Sequence, residues 1–279
     1  MKGQAVAGHF IDGAKDKIFV LRRVPEGAAR GCVLVAPPFA EEMNKCRRMV
    51  TETTVRLAAA GFATVVPDLY GTGDSAGDFS DADCETWRSD LQRCFEWSAG
   101  QDLPVSGVLG IRLGCGLLAQ LAAYGLLPSV QQSVLWQPVF DGPRFLQQFL
   151  RLRLAAGMTD DRKESLAELR KRLQRNETLE VAGYDVSGRL AAGLAEMTPP
   201  DCLPAALGRI TWLEVVRAPD AELPVPAARL IDKTRAEGMP VDVNSCVGEP
   251  FWASTEVVTN RDVVEASVSA LSAIAPAGK

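Results

Sequence analysis

The sequence predicts a doubly wound, mostly parallel α/β sheet carrying a helical insertion, and three observations predict it. Short apolar runs alternate with amphipathic helical stretches from Cys32 to Trp136. Those runs are continuous rather than alternating, as strands buried on both faces should be. A segment of about sixty residues rich in Arg and Leu then breaks the rhythm before strand-like runs resume, with boundaries good to a few residues.

The elements follow in order. Lys17 to Val24 reads as an edge strand, and Cys32-Val33-Leu34-Val35-Ala36 as a buried one ended by Pro37-Pro38. Asn44 to Ala60 has helical spacing, with Gly61 as its stop. Ala63 to Pro67 is a strand, Asp83 to Ala99 a helix, Val105 to Ile111 a strand, Leu113 to Leu126 a helix and Val130 to Trp136 a strand. Right-handed crossovers turn this succession into a parallel sheet. Beyond Asp141, Phe145 to Ala156, Arg162 to Arg175 and Ser187 to Glu196 read as helices, while Leu179 to Val186 is ambiguous. Strands return at Ile210 to Val216 and Pro240 to Val247, with helices at Pro226 to Glu237 and Asp262 to Ile274. Residues 1–140 and 205–279 therefore form the expected core, and residues 141–204 the expected helical cap or lid. Phe145, Phe149 and Leu152 share the face by which that lid should pack, leaving Arg151 and Arg153 nearer solvent.

Composition narrows the function. A chain of 279 residues, 47% hydrophobic and 23% charged, buries a large core without disulfides. Its net charge of −5 argues against a nucleic-acid partner, which needs a concentrated basic face. Seven scattered cysteines without a C-x-x-C pair fit free thiols in a reducing cytosol. No signal-peptide run or transmembrane segment is legible, so a cytoplasmic location is expected. Neither a metal site nor a cofactor is expected, since the cysteines and the single histidine lack zinc-like spacing.

Three turns at the carboxyl ends of strands could carry chemistry, because ligands bind there in open α/β sheets. Pro37 to Lys45 is one, with Phe39, Ala40, Glu41 and Glu42; it reads as a helix N-terminus and as a source of one oxyanion-hole N–H. The second, Asp68 to Phe79, is Gly-rich and includes Tyr70 and Ser75; without Gly-Lys-Ser or Gly-Lys-Thr it does not fit a phosphate loop. The third, Gly110-Ile111-Arg112-Leu113-Gly114, has the glycine spacing and the strand-to-helix context of the G-x-S-x-G nucleophile elbow of α/β-hydrolases. Its centre is arginine, which cannot lose a proton at usable pH and cannot attack a carbonyl.

The base is missing as well. The only histidine is His9, near the amino terminus, whereas the hydrolase order places it after the last strand. Glu249 stands there instead, in Gly248-Glu249-Pro250-Phe251-Trp252. Asp220 occupies the region of the acid but has no imidazole to orient. Cys115 adjoins the elbow and reads as a packing residue.

Several strings together resemble the exosortase A system-associated hydrolase 2 family: Pro38 to Lys45, Gly71 to Phe79, Gly110 to Gly114, Leu135-Trp136-Gln137-Pro138, Gln147 to Arg153, Val181 to Tyr184 and Gly248 to Trp252. The resemblance runs across nearly the whole chain. It implies the α/β-hydrolase fold and a bacterial protein encoded alongside exosortase (PEP-CTERM) sorting and exopolysaccharide production.

Two functions are compatible with these residues. One is a pseudo-hydrolase that binds a small molecule, anionic or acyl, or a protein partner, through Phe39, Ala40, Tyr70, Arg112, Leu113, Gln137, Glu249 and Trp252. The other is an ester or thioester hydrolase, or acyltransferase, in which Glu41 or Glu42 serves as base. In either case the inward-pointing guanidinium of Arg112 needs a carboxylate. Glu249 is the first expectation, and Glu41 or Glu42 the next.

Overall fold

The computed structural model describes residues 4–156 and 164–275. Eight strands form one sheet in the order β1-β2-β4-β3-β5-β6-β9-β10. β1 (Ala5–Asp12) and β2 (Lys17–Val24) form an antiparallel hairpin, and β2 lies antiparallel to β4 (Phe62–Pro67). β3 (Gly31–Ala36), β5 (Val105–Ile111), β6 (Gln132–Trp136), β9 (Arg209–Val216) and β10 (Val241–Val247) continue from β4 in parallel. With helices on both faces this is the α/β-hydrolase fold.

Alternate residues of each central strand serve the two faces, as the pleat demands. Val33 and Val35 of β3, with Leu109 and Ile111 of β5, join the core beneath α1 (Glu41–Ala59) and α8 (Arg261–Ser272). Cys32, Leu34, Ala36 and Val108 point the other way, into the core shared with α2 (Cys84–Ala99), α3 (Leu113–Ala123) and α7 (Val225–Ala236).

Two departures from the sequence-based expectations matter for the site. α1 begins at Glu41 rather than Asn44, so both glutamates lie in its first turn. The chain also starts with a strand that composition hides: β1 contains Ala5, Ala7 and Gly8, poor strand formers that the hairpin with β2 holds in register.

The segment between β6 and β9 holds α4 (Gly142–Ala156), α5 (Leu166–Gln174), a hairpin of β7 (Leu179–Val181) and β8 (Tyr184–Val186), and α6 (Gly188–Glu196). The ambiguous stretch is thus a hairpin, turned by Ala182 and Gly183, both at positive φ, as the right-handed twist of two strands requires. The start of the helix expected from Arg162 lies outside the described residues. α4 buries Phe145, Leu146, Phe149 and Leu150, and the rings of Phe145 and Phe149 meet Phe39 edge-on at 5.4 and 5.0 Å. This lays α4 over the carboxyl end of β3. Leu152 does not join that face and is 42% exposed. The buried stripe is centred between Leu146 and Phe149, which leaves Leu152 about 90° from its middle at 3.6 residues per turn. Arg151 is exposed, while Arg153 is half-buried and tied to Glu164 at 2.6 Å and to the carbonyl of Glu180 at 2.8 Å.

Candidate functional site

The site is built around the corner at which β5 becomes α3. Arg112 has φ 52 and ψ −117, a left-handed conformation that side chains adopt only where their surroundings impose it. The flanking glycines show what imposes it. A Cβ on Gly114 would lie 2.3 Å from the carbonyl oxygen of Ala36, and one on Gly110 would lie 3.0 Å from the sulfur of Cys115. Only glycine permits α3 to start this close to β3. The backbone is fixed further by Arg112 N–H donating to the Trp136 carbonyl (2.9 Å) and by Val139 N–H donating to the Arg112 carbonyl (3.1 Å).

The guanidinium of Arg112 donates from Nε (3.1 Å) and Nη2 (3.0 Å) to Oε1 of Glu42, and from Nη1 to the carbonyl of Gln137 (3.3 Å). The ring of Trp252 covers it, 4.8 Å from centroid to Cζ, and Phe145 lies at 6.0 Å. The carboxylate facing Arg112 is therefore Glu42, not Glu249. After β10 the chain turns at Gly248, and the loop brings Trp252 to the guanidinium, leaving Glu249 exposed beside a different cavity with Arg217. Asp220 is also exposed, in the loop between β9 and α7. Burial pushes the carboxyl of Glu42 up from its ordinary value, and the charge and hydrogen bonds of Arg112 oppose that push. Glu41 is raised by burial too. One carboxyl oxygen of each, Oε2 in both cases, is buried without a hydrogen-bond partner.

A second buried carboxylate escaped the sequence reading. Glu214 of β9 accepts from Trp212 Nε1 and from Gln137 Nε2, both at 2.8 Å. Gln137, itself at φ 41, accepts from Val215 N–H at 2.7 Å through its side-chain oxygen. Burial pushes the carboxyl of Glu214 up from its ordinary value, and the two donors oppose this. The available signal was a single charged residue, a glutamate, inside the mainly apolar run Ile210 to Val216.

Arg112, Gln137, Trp212 and Glu214 line a cavity of about 520 Å³ whose walls come from Phe140, α4 and α7. Of the other candidates, Phe39, Ala40 and Leu113 are buried around a separate void of about 10 Å³. Tyr70 stands in the loop after β4, its ring against Gly77 and 5.2 Å from the Lys15 ammonium. Ser75 braces that loop, accepting from Phe19 N–H at 2.8 Å and donating to the Asp68 carbonyl. His9 lies on β1, 5.1 Å from the Trp97 ring centre and not among the residues lining the cavity. Cys115 is fully buried and its thiol is pushed far up by burial, which leaves no usable thiolate. No helix is long and apolar enough to cross a membrane among the described residues.

A family profile described as X-Pro dipeptidyl-peptidase (S15 family) matches residues 12–118, the span from the last residue of β1 to the middle of α3. No curated protein matches significantly. Among solved structures, a thermostable carboxyl esterase from Bacillus coagulans superposes with a TM-score of 0.65 at 17% identity, over 98% of this chain and 99% of its own. Est1E from Butyrivibrio proteoclasticus, solved with ferulic acid, gives 0.66 at 14% identity, over 94% and 96%. XC6422 from Xanthomonas campestris, an α/β serine hydrolase described as lacking a lid, gives 0.57 at 15%, over 100% and 98%. The likeness is one of fold, the α/β-hydrolase fold.

Proposed function

We propose that this chain is a non-catalytic α/β-hydrolase-fold protein that binds a small molecule in the cavity beside Arg112, with residues 141–204 as its lid. One observation carries the reading. The corner that would present an activated hydroxyl presents instead a guanidinium clamped by Glu42, Gln137 and Trp252. Covalent acyl transfer needs a nucleophile and a base within hydrogen-bond reach of it, and the lining residues include neither serine, cysteine nor histidine. The strings that resemble the exosortase A system-associated hydrolase 2 family support a place in a bacterial exosortase and exopolysaccharide system.

The esterase-like neighbours favour a second reading, hydrolysis of an ester or thioester by general-base attack of water. Glu41 and Glu42 are poorly placed for it. Glu42 is spent on Arg112, and neither lines the cavity, whereas Glu214 does. Serine-directed fluorophosphonate probes and p-nitrophenyl and acyl-thioester substrates separate the readings. The first expects no labelling and no turnover above buffer. Turnover abolished by Glu214→Gln, or stoichiometric labelling of a serine, would establish an enzyme.

A further inference from the structure

Resting on the binding reading above, we infer that the ligand is an anionic amphiphile, with its head between Arg144 and Arg229 at the cavity mouth and its apolar body inside. The charges around the cavity select this orientation. At the inner end, Glu214 is a buried acceptor, and the charge of Arg112 is already matched by Glu42, so an anion there would meet a carboxylate without a free cation. At the outer end, Lys233 is paired with Asp201 at 2.9 Å, and Asp141 accepts from the backbone N–H of Arg144 at 2.9 Å.

That leaves two guanidinium groups against one carboxylate, Asp141, whose charge a neutral N–H does not cancel, so the mouth is net positive. Arg144 on α4 and Arg229 on α7 are exposed, line the same cavity, and have no carboxylate within 4.0 Å among the described residues. They come from the two helices that wall the cavity, so a head group between them would bridge the lid segment to the core. Between mouth and floor the wall is apolar, with Phe140, Phe145, Trp212 and Leu230 all buried. At about 520 Å³ the space suits a ligand of roughly ten to twenty heavy atoms, within the usual 300–1,000 Å³ of small-molecule sites. Guanidinium groups recognise carboxylate and phosphate alike through paired N–H donors.

The experiment is isothermal titration calorimetry of the full chain with decanoate, decyl phosphate, decanol and decyltrimethylammonium, each below its micelle concentration. Both anions should bind about tenfold or more tighter than decanol, the size expected of two solvent-edged charge contacts. The cation should bind no better than decanol. The preference should fall to about threefold or less in Arg144→Gln/Arg229→Gln, and Ala227→Trp, which fills the cavity from α7, should abolish binding of all four, with circular dichroism checking the fold of each variant. A tighter response to decyl phosphate than to decanoate would support the proposal and assign the head as phosphate. The reverse would support it and assign carboxylate. Equal binding of decanoate and decanol, binding that survives Ala227→Trp, or no binding by any probe would overturn it. Those failures leave the non-catalytic reading intact, since that reading stands or falls on turnover and probe labelling.

Discussion

Replacing Arg112 with alanine tests the central contact of the site. The substitution removes three hydrogen bonds and strands the Glu42 carboxylate, whose other oxygen already lacks a partner. Breaking a buried ion pair by deleting one partner costs about 3–5 kcal/mol. An upper bound comes from the escape route open to Glu42. The carboxyl can take up a proton, which costs no more than about 4 kcal/mol at pH 7 from an ordinary glutamate value near 4.3. Loss of the Trp252 stack adds to this, whereas the backbone strain at φ 52 is unrelieved because alanine suffers it too. The expected loss at pH 7 is therefore about 3–5 kcal/mol, read from urea unfolding followed by far-UV circular dichroism. Its pH dependence carries the sign. With Arg112 gone, the folded-state value of Glu42 rises further above its unfolded one, so the folded variant binds the extra proton. The deficit should be largest above that raised value and should fade as the pH falls towards the unfolded value of about 4.3. A loss below about 0.5 kcal/mol at pH 7, or a deficit that grows on acidification, would refute the reasoning. Glu42→Gln combined with Arg112→Ala should recover part of the loss, since neither charge is then stranded.

Three further outcomes follow from other parts of the molecule. Gly114→Ala should destabilise by at least about 2 kcal/mol in the same unfolding assay, because its methyl would stand 2.3 Å from a carbonyl oxygen of β3 that cannot withdraw. Under native conditions an aromatic disulfide reagent should titrate a single thiol, Cys202, since the other six cysteines are buried; rapid reaction of a second would contradict the packing. Asp83 is opposed by burial but held below its ordinary value by the Thr86 N–H and hydroxyl and by Lys15, so it stabilises the fold above the usual aspartate range and loses that role as pH falls through its lowered folded value. Asp83→Asn should cost up to about 1 kcal/mol at pH 7, and the gap from the parent should close below about pH 4 in acid titration.

The sheet and its corner were legible because both are local. Continuous apolar runs mark β3, β4, β5 and β6, and two glycines flanking one residue between a strand and a helix admit few geometries. The partner of Arg112 was not legible because it depends on where α1 starts. Placing the first turn at Asn44 leaves Glu42 in a loop; starting it at Glu41 brings Glu42 to the guanidinium. The loop after β10 shows the same limit, since a displacement of three residues exchanges Glu249 for Trp252 at the site. Glu214 was hidden by a different effect. Strand periodicity records which residues are buried but not which buried carboxylate finds two donors, here Gln137 from β6's end and Trp212 two places along its own strand.

The corner at residue 112 is held entirely from outside its own side chain. β5 and α3 fix its two ends, Gly114 is wedged against β3, and its amide and carbonyl are committed to Trp136 and Val139. Ala40, at the start of α1, adopts nearly the same angles, φ 50 and ψ −126, with only a methyl group. The scaffold therefore works as a mounting with a fixed exit direction, whatever is fitted to it. A set of variants at position 112 would present different functional groups to the same cavity along one vector, so their differences in ligand affinity would report chemistry rather than displacement. The forces that aim the residue are in this way separate from the reactivity of what it aims.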